Sequence, residues 1–140
     1  MNSGQKCAHP VELLSVYPTL NKLCGLPERD DLEGRVLLPL LQDANADWPH
    51  NAVTTHGHNN HAVRSETHRY IRYHDGSEEL YDLVRDPNEW TNLADRPDLA
   101  SIKAKLAQSI PAKNAAPARA AAAEKRAKKG RSAKKKSPQN

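Results

Sequence analysis

"RYIRYHDGSEELYDL", residues 69–83, decides how this chain folds. Two runs rich in aromatic and aliphatic side chains flank Asp75-Gly76, a dipeptide that closes two-residue hairpins because both positions accept positive φ. A two-residue turn predicts a register in which Arg72 faces Glu79, Ile71 faces Leu80, Tyr70 faces Tyr81 and Arg69 faces Asp82. Two ion pairs, an aliphatic pair and an aromatic pair then lie directly across the strands.

Further out, Ala52–His56 and Ala62–Arg64 have β-type composition on either side of a link rich in His and Asn. An antiparallel sheet is therefore expected within residues 50–111. Asp86-Pro87-Asn88-Glu89 has the N-cap, proline and acid order of a short helical turn. Asp98 is placed to cap a last helix, where Leu99, Ile102, Leu106 and Ile110 recur at helical spacing before Pro111. That helix is expected to cover one face of the sheet.

Before the sheet, Val11–Leu14 reads as a short buried strand and Ser15 as the cap of a helix over Val16–Cys24, with Pro18 in its first turn. Val16, Leu20, Leu23 and Cys24 share one helical face, and Gly25 with Pro27 ends the helix. Val36–Leu41, interrupted by Pro39, predicts a short helical turn or a packed extended segment rather than a central strand. The chain has no Phe, so its four Tyr and two Trp are expected as the large core pieces. Trp48 and Trp90 in particular are expected to pack rather than to form an exposed binding platform.

Charge divides the chain. Ten of its 21 basic residues but one of its 17 acidic ones fall in 112–140, leaving 11 bases against 16 acids in 1–111. The terminal segment has no large apolar side chain to bury and is expected to be disordered. It is suited to loose attraction to anionic polymers, and without aromatic residues to stack on bases it does not suit specific nucleic-acid recognition. The acidic body does not suit nucleic acid either. Met1–Pro10 lacks the apolar core of a signal peptide, and no run approaches the length of a membrane span. Cys7 and Cys24 have neither the density of a disulfide framework nor the spacing of a zinc site.

"THGHNNHAVRS", residues 55–65, concentrates polar chemistry. His56, His58 and His61 admit a transition-metal reading, but His-x-His-x-x-His without a Cys or a defining helix carries little weight. Contact with a substrate and a solvated loop are the other readings. Arg64 can grip an oxyanion such as a carboxylate by two parallel hydrogen bonds, or pair with Glu66 as an ordinary strand arginine.

Taken in order, "VELLSVYPTLNKLCGLP" (11–27), "LEGRVLLPLL" (32–41), "HAVRS" (61–65), "RYIRY" (69–73) and "ELYDLVRDPNEWTNL" (79–93) resemble the C-terminal third of type I sulfatases, nearest to the bacterial iduronate-2-sulfatase-like branch. The resemblance covers roughly residues 10–110. It implies an alkaline-phosphatase-like α/β fold. Residues 1–49 would be a remnant of the large domain, 50–111 the small C-terminal subdomain (an antiparallel sheet with one packed helix), and 112–140 a basic tail. It also implies sulfate-ester hydrolysis by a calcium ion and a formylglycine made from the cysteine of Cys-x-Pro-Ser-Arg, on a substrate such as sulfated carbohydrate.

That motif is absent, since Cys7 precedes Ala8-His9-Pro10 and Cys24 precedes Gly25-Leu26-Pro27. The family's paired aspartates, metal loop and catalytic Lys and His have no counterpart either, so the chain holds no catalytic or metal-binding residues by this carry-over. By itself it is expected to be inactive, lacking the nucleophile and the preorganised charges that catalysis needs. Under the resemblance, His56, Asn59, His61 and Arg64 are the substrate-contact candidates, and a separate chain carrying the sulfatase core is a candidate partner. Intact relatives are typically exported. A standalone binding module with a polycationic arm is the alternative. If the chain is a sulfatase fragment, the large sheet against which the first helix would pack is missing, and its apolar face is expected to lie bare.

Overall fold

The computed structural model describes residues 4–115. Its centre is a four-stranded antiparallel sheet in simple up-and-down order: β1 (Ala52–Thr55), β2 (His61–Arg64), β3 (His68–Arg72) and β4 (Glu78–Asp82). Three short helices accompany it: α1 (Val16–Leu23), α2 (Leu38–Gln42) and α3 (Ala100–Ala107). The basic segment expected to be disordered lies outside the described residues from position 116 onward.

The β3–β4 hairpin forms, but one residue out of the predicted register. Tyr70 faces Leu80, Ile71 faces Glu79, Arg72 faces Glu78 and Arg69 faces Tyr81. The reason lies in the turn. Asp75 does not adopt the positive φ that a two-residue turn requires; only Gly76 does, at +87°, giving a three-residue loop closed by Tyr73 N–H to Ser77 O at 2.9 Å. The Asp75 carboxylate is engaged instead with the Ser77 amide and hydroxyl at 2.9 and 2.7 Å. A one-residue slip exchanges the faces of a strand. The observed register aligns Val63, Tyr70 and Leu80, each at most 1 % exposed, in one row across three strands. The predicted register would have put Tyr70 and Leu80 on opposite faces.

Leu106, Ile110 and Ala94 close over that row, with Val53, Leu93, Leu99 and Ile102 around it. Each fully buried aliphatic or aromatic side chain here stabilises by roughly 1.5–3 kcal/mol. Tyr70 is the one aromatic residue in this core; Trp90 is 84 % exposed and Trp48 is half-buried, edge-on to His50. The expectation that Tyr and Trp together build the core is corrected: aliphatic residues build it around one tyrosine.

Two further readings change. Asp86–Glu89 makes a turn, not a helix: the Asp86 carboxylate accepts from Thr91 N at 2.8 Å and Glu89 sits at φ +59°, outside helical space. Asp98 does not cap α3, because its carboxylate is held by Arg96 at 2.9 and 3.0 Å. The segment 92–94 instead lines the outer edge of β4. The Asn92 side-chain carbonyl accepts from Leu80 N, its amide donates to Glu78 O, and Leu93 N bonds Leu80 O at 2.8 Å.

The apolar run before α1 is a 3-10 turn, Leu13–Ser15, rather than a strand. Ser15 is already helical, so its hydroxyl does not cap. It accepts from Arg35 N at 3.1 Å, and Thr19 Oγ1 accepts from Leu37 N at 2.9 Å. Residues 34–37 are thereby fastened along α1, so close that Gly34 has no room for a Cβ. The other side of α1 is bare: Val16, Leu20 and Leu23 are 47, 52 and 43 % exposed.

Glu78 joins sheet to helix. Its carboxylate accepts from the Tyr70 hydroxyl and from Lys103 Nζ at 2.8 Å, and Lys103 also donates to Ala94 O. The Lys103 hydrogen bond, then that of Tyr70, hold the carboxyl below its ordinary value of 4.5. A lowered folded-state value means that the stabilisation is complete above the unfolded value and is lost as pH falls through the folded one. Because both partners are about 30 % exposed, the effect is screened to about 1 kcal/mol. Denaturation curves are expected to favour the native protein over Glu78→Gln above pH 4.5 and to converge in stronger acid. A gap that widens on acidification would refute the assignment.

Candidate functional site

The β1–β2 loop, residues 56–60, is closed by His56 N–H to Asn60 O at 3.0 Å. Gly57 and Asn59 take the positive φ values, +70° and +62°, that the tight reversal needs, and Gly and Asn are the residues that tolerate them. Asn60 organises the loop. Its amide nitrogen donates to His56 O and His58 O, and its Oδ1 accepts from His74 N at 3.0 Å. The tips of the two hairpins are thus tied together, with the His56 and His58 side chains exposed on them.

The four predicted contact residues do not converge on one point. His56 and Asn59 share the tip. His61 points to the core face, is 2 % exposed, and is held by Thr55 Oγ1 at 2.9 Å from its Nδ1. Its Nε2 is buried without a hydrogen-bond partner. Arg64 lies three residues further along β2, roughly 10 Å away, and an odd spacing turns it to the opposite face.

There Arg64 is exposed and, among the described residues, makes no ion pair; Glu66, its expected partner, contacts His9. It lines a cleft of about 270 Å³ with Pro10, Val11, Ala52, Thr54, Ala62 and Arg69. Arg69 is its direct cross-strand neighbour. Arg69 is neutralised by Glu89, whose two carboxylate oxygens accept from Nη1 at 3.0 and 2.9 Å. The cross-strand ion pairs expected for Arg69 and Arg72 are therefore replaced: Arg69 reaches Glu89, and Arg72 stands opposite Glu78.

On the same face the Tyr73 and Tyr81 hydroxyls donate to the two oxygens of Glu79 at 3.1 and 2.9 Å. Burial, and then the Glu79 hydrogen bond, raise the Tyr81 phenol to about 12. Sequence reasoning missed Asn60, Glu89 and this Glu79 clamp. The alternation of Arg69, Ile71 and Tyr73 was visible, but their cross-strand partners follow only from the correct register.

The three histidines do not form a metal centre, because two are exposed on the tip and the third is buried. No group of three His, Cys, Asp or Glu able to hold a metal ion occurs among the described residues. Cys7 and Cys24 are free and exposed, outside any Cys-x-Pro-Ser-Arg context. The residues present do not fit the calcium and formylglycine of the sulfatase reaction, so no chemical step is assigned to them. No helix among the described residues is long and apolar enough to cross a membrane.

A family profile described as N-sulphoglucosamine sulphohydrolase, C-terminal, matches residues 1–116. A sulfatase of Formosa agariphila is 43 % identical over 112 residues, covering 80 % of this chain and 22 % of that protein. The solved structure of BT4656 in complex with its substrate, D-glucosamine-2-N,6-O-disulfate, shares the fold at a TM-score of 0.56 and 24 % identity, over 67 % of this chain and 22 % of that one. BT1596, a 2-O GAG sulfatase, matches at a TM-score of 0.53 and 25 % identity, over 75 % and 27 %. The chain thus spans between a fifth and just over a quarter of the length of these proteins.

Proposed function

Because the chain belongs to the N-sulphoglucosamine sulphohydrolase C-terminal family of sulfatase domains, we propose that it serves as the substrate-side C-terminal portion of a sulfatase whose catalytic core lies in other residues. The sheet and its covering helix have the alkaline-phosphatase-like sulfatase fold. The reaction is hydrolysis of a sulfate ester on a carbohydrate, with formylglycine and calcium contributed by the core. The observation that carries this reading is the family match over residues 1–116, joined to a sequence without Cys-x-Pro-Ser-Arg and to described residues among which no group of three His, Cys, Asp or Glu could hold a metal ion.

Of the four residues expected from the sequence, those that are not buried remain as proposed substrate contacts, His56 and Asn59 at the tip and Arg64 separately on the reverse face, whereas His61, buried on the core face, is a support of the tip. A 2-sulfated uronate such as iduronate 2-sulfate carries a carboxylate beside its sulfate, two anions of the kind a guanidinium holds by paired hydrogen bonds. The bare side of α1 is the proposed seat of the core, in the same polypeptide or in a separate chain.

The test is reconstitution. The purified chain with calcium and a sulfated disaccharide is expected to release no inorganic sulfate. Co-produced with the core of the Formosa agariphila relative, deleted for its matching C-terminal segment, it is expected to form a complex and restore release. Sulfate release by the chain alone, or failure to associate with the core, would overturn the proposal. Saccharide binding without that association would favour the standalone binding module.

A further inference from the structure

We infer that Arg64 and Arg69 form a sulfate-binding cleft in which Glu89 is a resident competitor for the incoming anion. Two arginines directly opposite on antiparallel strands repel one another, yet the β2–β3 register places Arg64 against Arg69 on one face. Glu89 answers only half of that charge. Both of its oxygens are spent on Arg69 Nη1, from a backbone conformation with positive φ, and Arg64 has no partner among the described residues.

The neighbours leave room. Ala52, Ala62 and Thr54 flank Arg64 with small side chains, Pro10 and Val11 wall the cleft, and no acid belongs to its lining. Two other carboxylates of the neighbouring segments are engaged elsewhere, Glu66 with His9 and Glu12 with the Val53 amide at 2.6 Å. An uncompensated guanidinium beside a second one, in a cleft of about 270 Å³, suits a tetrahedral dianion that can accept from both at once. This deepens the substrate contact proposed for Arg64 and rests on that reading for the choice of sulfate over other anions.

The experiment is a titration of the full chain with sodium sulfate, read at the Arg64 Nε–Hε resonance and the Ala52 and Ala62 amides, with sodium chloride at matched ionic strength as control. Saturable, sulfate-specific shifts in the millimolar range are expected, and they vanish in Arg64→Gln. Glu89→Gln removes the competitor and is expected to tighten binding by about threefold or more, the worth of a partly exposed ion pair. Should that variant not fold, Arg69→Gln is expected to weaken binding in the same assay. Acetate forms a further arm: a stronger response to acetate than to sulfate overturns the choice of ligand. Shifts that do not saturate, that chloride reproduces, or that survive Arg64→Gln overturn the cleft. Reconstituted activity without these shifts would sink the cleft alone, and shifts without reconstitution would sink the sulfatase reading alone.

Discussion

Gly34→Ala is expected to strip residues 34–37 from α1 and to cost about 3 kcal/mol, the upper end for overpacking. An added Cβ would stand 2.0 Å from Leu14 O, 2.4 Å from its carbonyl carbon and 2.8 Å from Ser15 N. All three are main-chain atoms, so no rotamer change relieves the clash. Moving the segment away also breaks the Arg35–Ser15 and Leu37–Thr19 hydrogen bonds. Amide hydrogen exchange gives the readout: Arg35 and Leu37 are expected to lose protection while Val63, Tyr70 and Leu80 retain it. Unchanged protection at Arg35 and Leu37 would refute the packing described.

Tyr70→Ala is the second large effect, at about 3–5 kcal/mol for removing a buried aromatic ring. Tyr70→Phe keeps the ring against Val63 and Leu80 and loses only the bond to Glu78, about 1 kcal/mol. Small domains have little more stability than the first figure. Tyr70→Ala is thus expected to abolish the cooperative melt and Tyr70→Phe to lower its midpoint slightly. Equal losses in the two variants would mean that the hydroxyl, not the ring, governs the site.

The four strands and the covering helix were legible in the sequence because β-type composition and the spacing of Leu99, Ile102, Leu106 and Ile110 are local properties. The register was not. It depended on whether Asp75 would accept positive φ, and its side-chain bonds to Ser77 settled that against a two-residue turn. The slip carried into the site: with Arg69 assigned to Asp82, neither its contact with Glu89 nor its position against Arg64 was visible. The hairpin tip fared better. Its Gly and Asn content announced a tight loop, although Asn60, which fastens it to the second hairpin, looked no different from Asn59. The apolar side of α1 was readable from the periodicity of Val16, Leu20 and Leu23, whereas its being bare followed only from the missing large domain that the resemblance implied.

The two flanks of the sheet are blunted by side chains, Asn92 along β4 and Glu12, whose carboxylate takes the outward Val53 amide at 2.6 Å, along β1. Copies of the chain left without a mate should therefore cling through the greasy flank of α1 and not stack ribbon upon ribbon. The resulting clumps should be shapeless, dispersed by mild detergent and dark to amyloid dyes, with none of the self-seeding of a fibril.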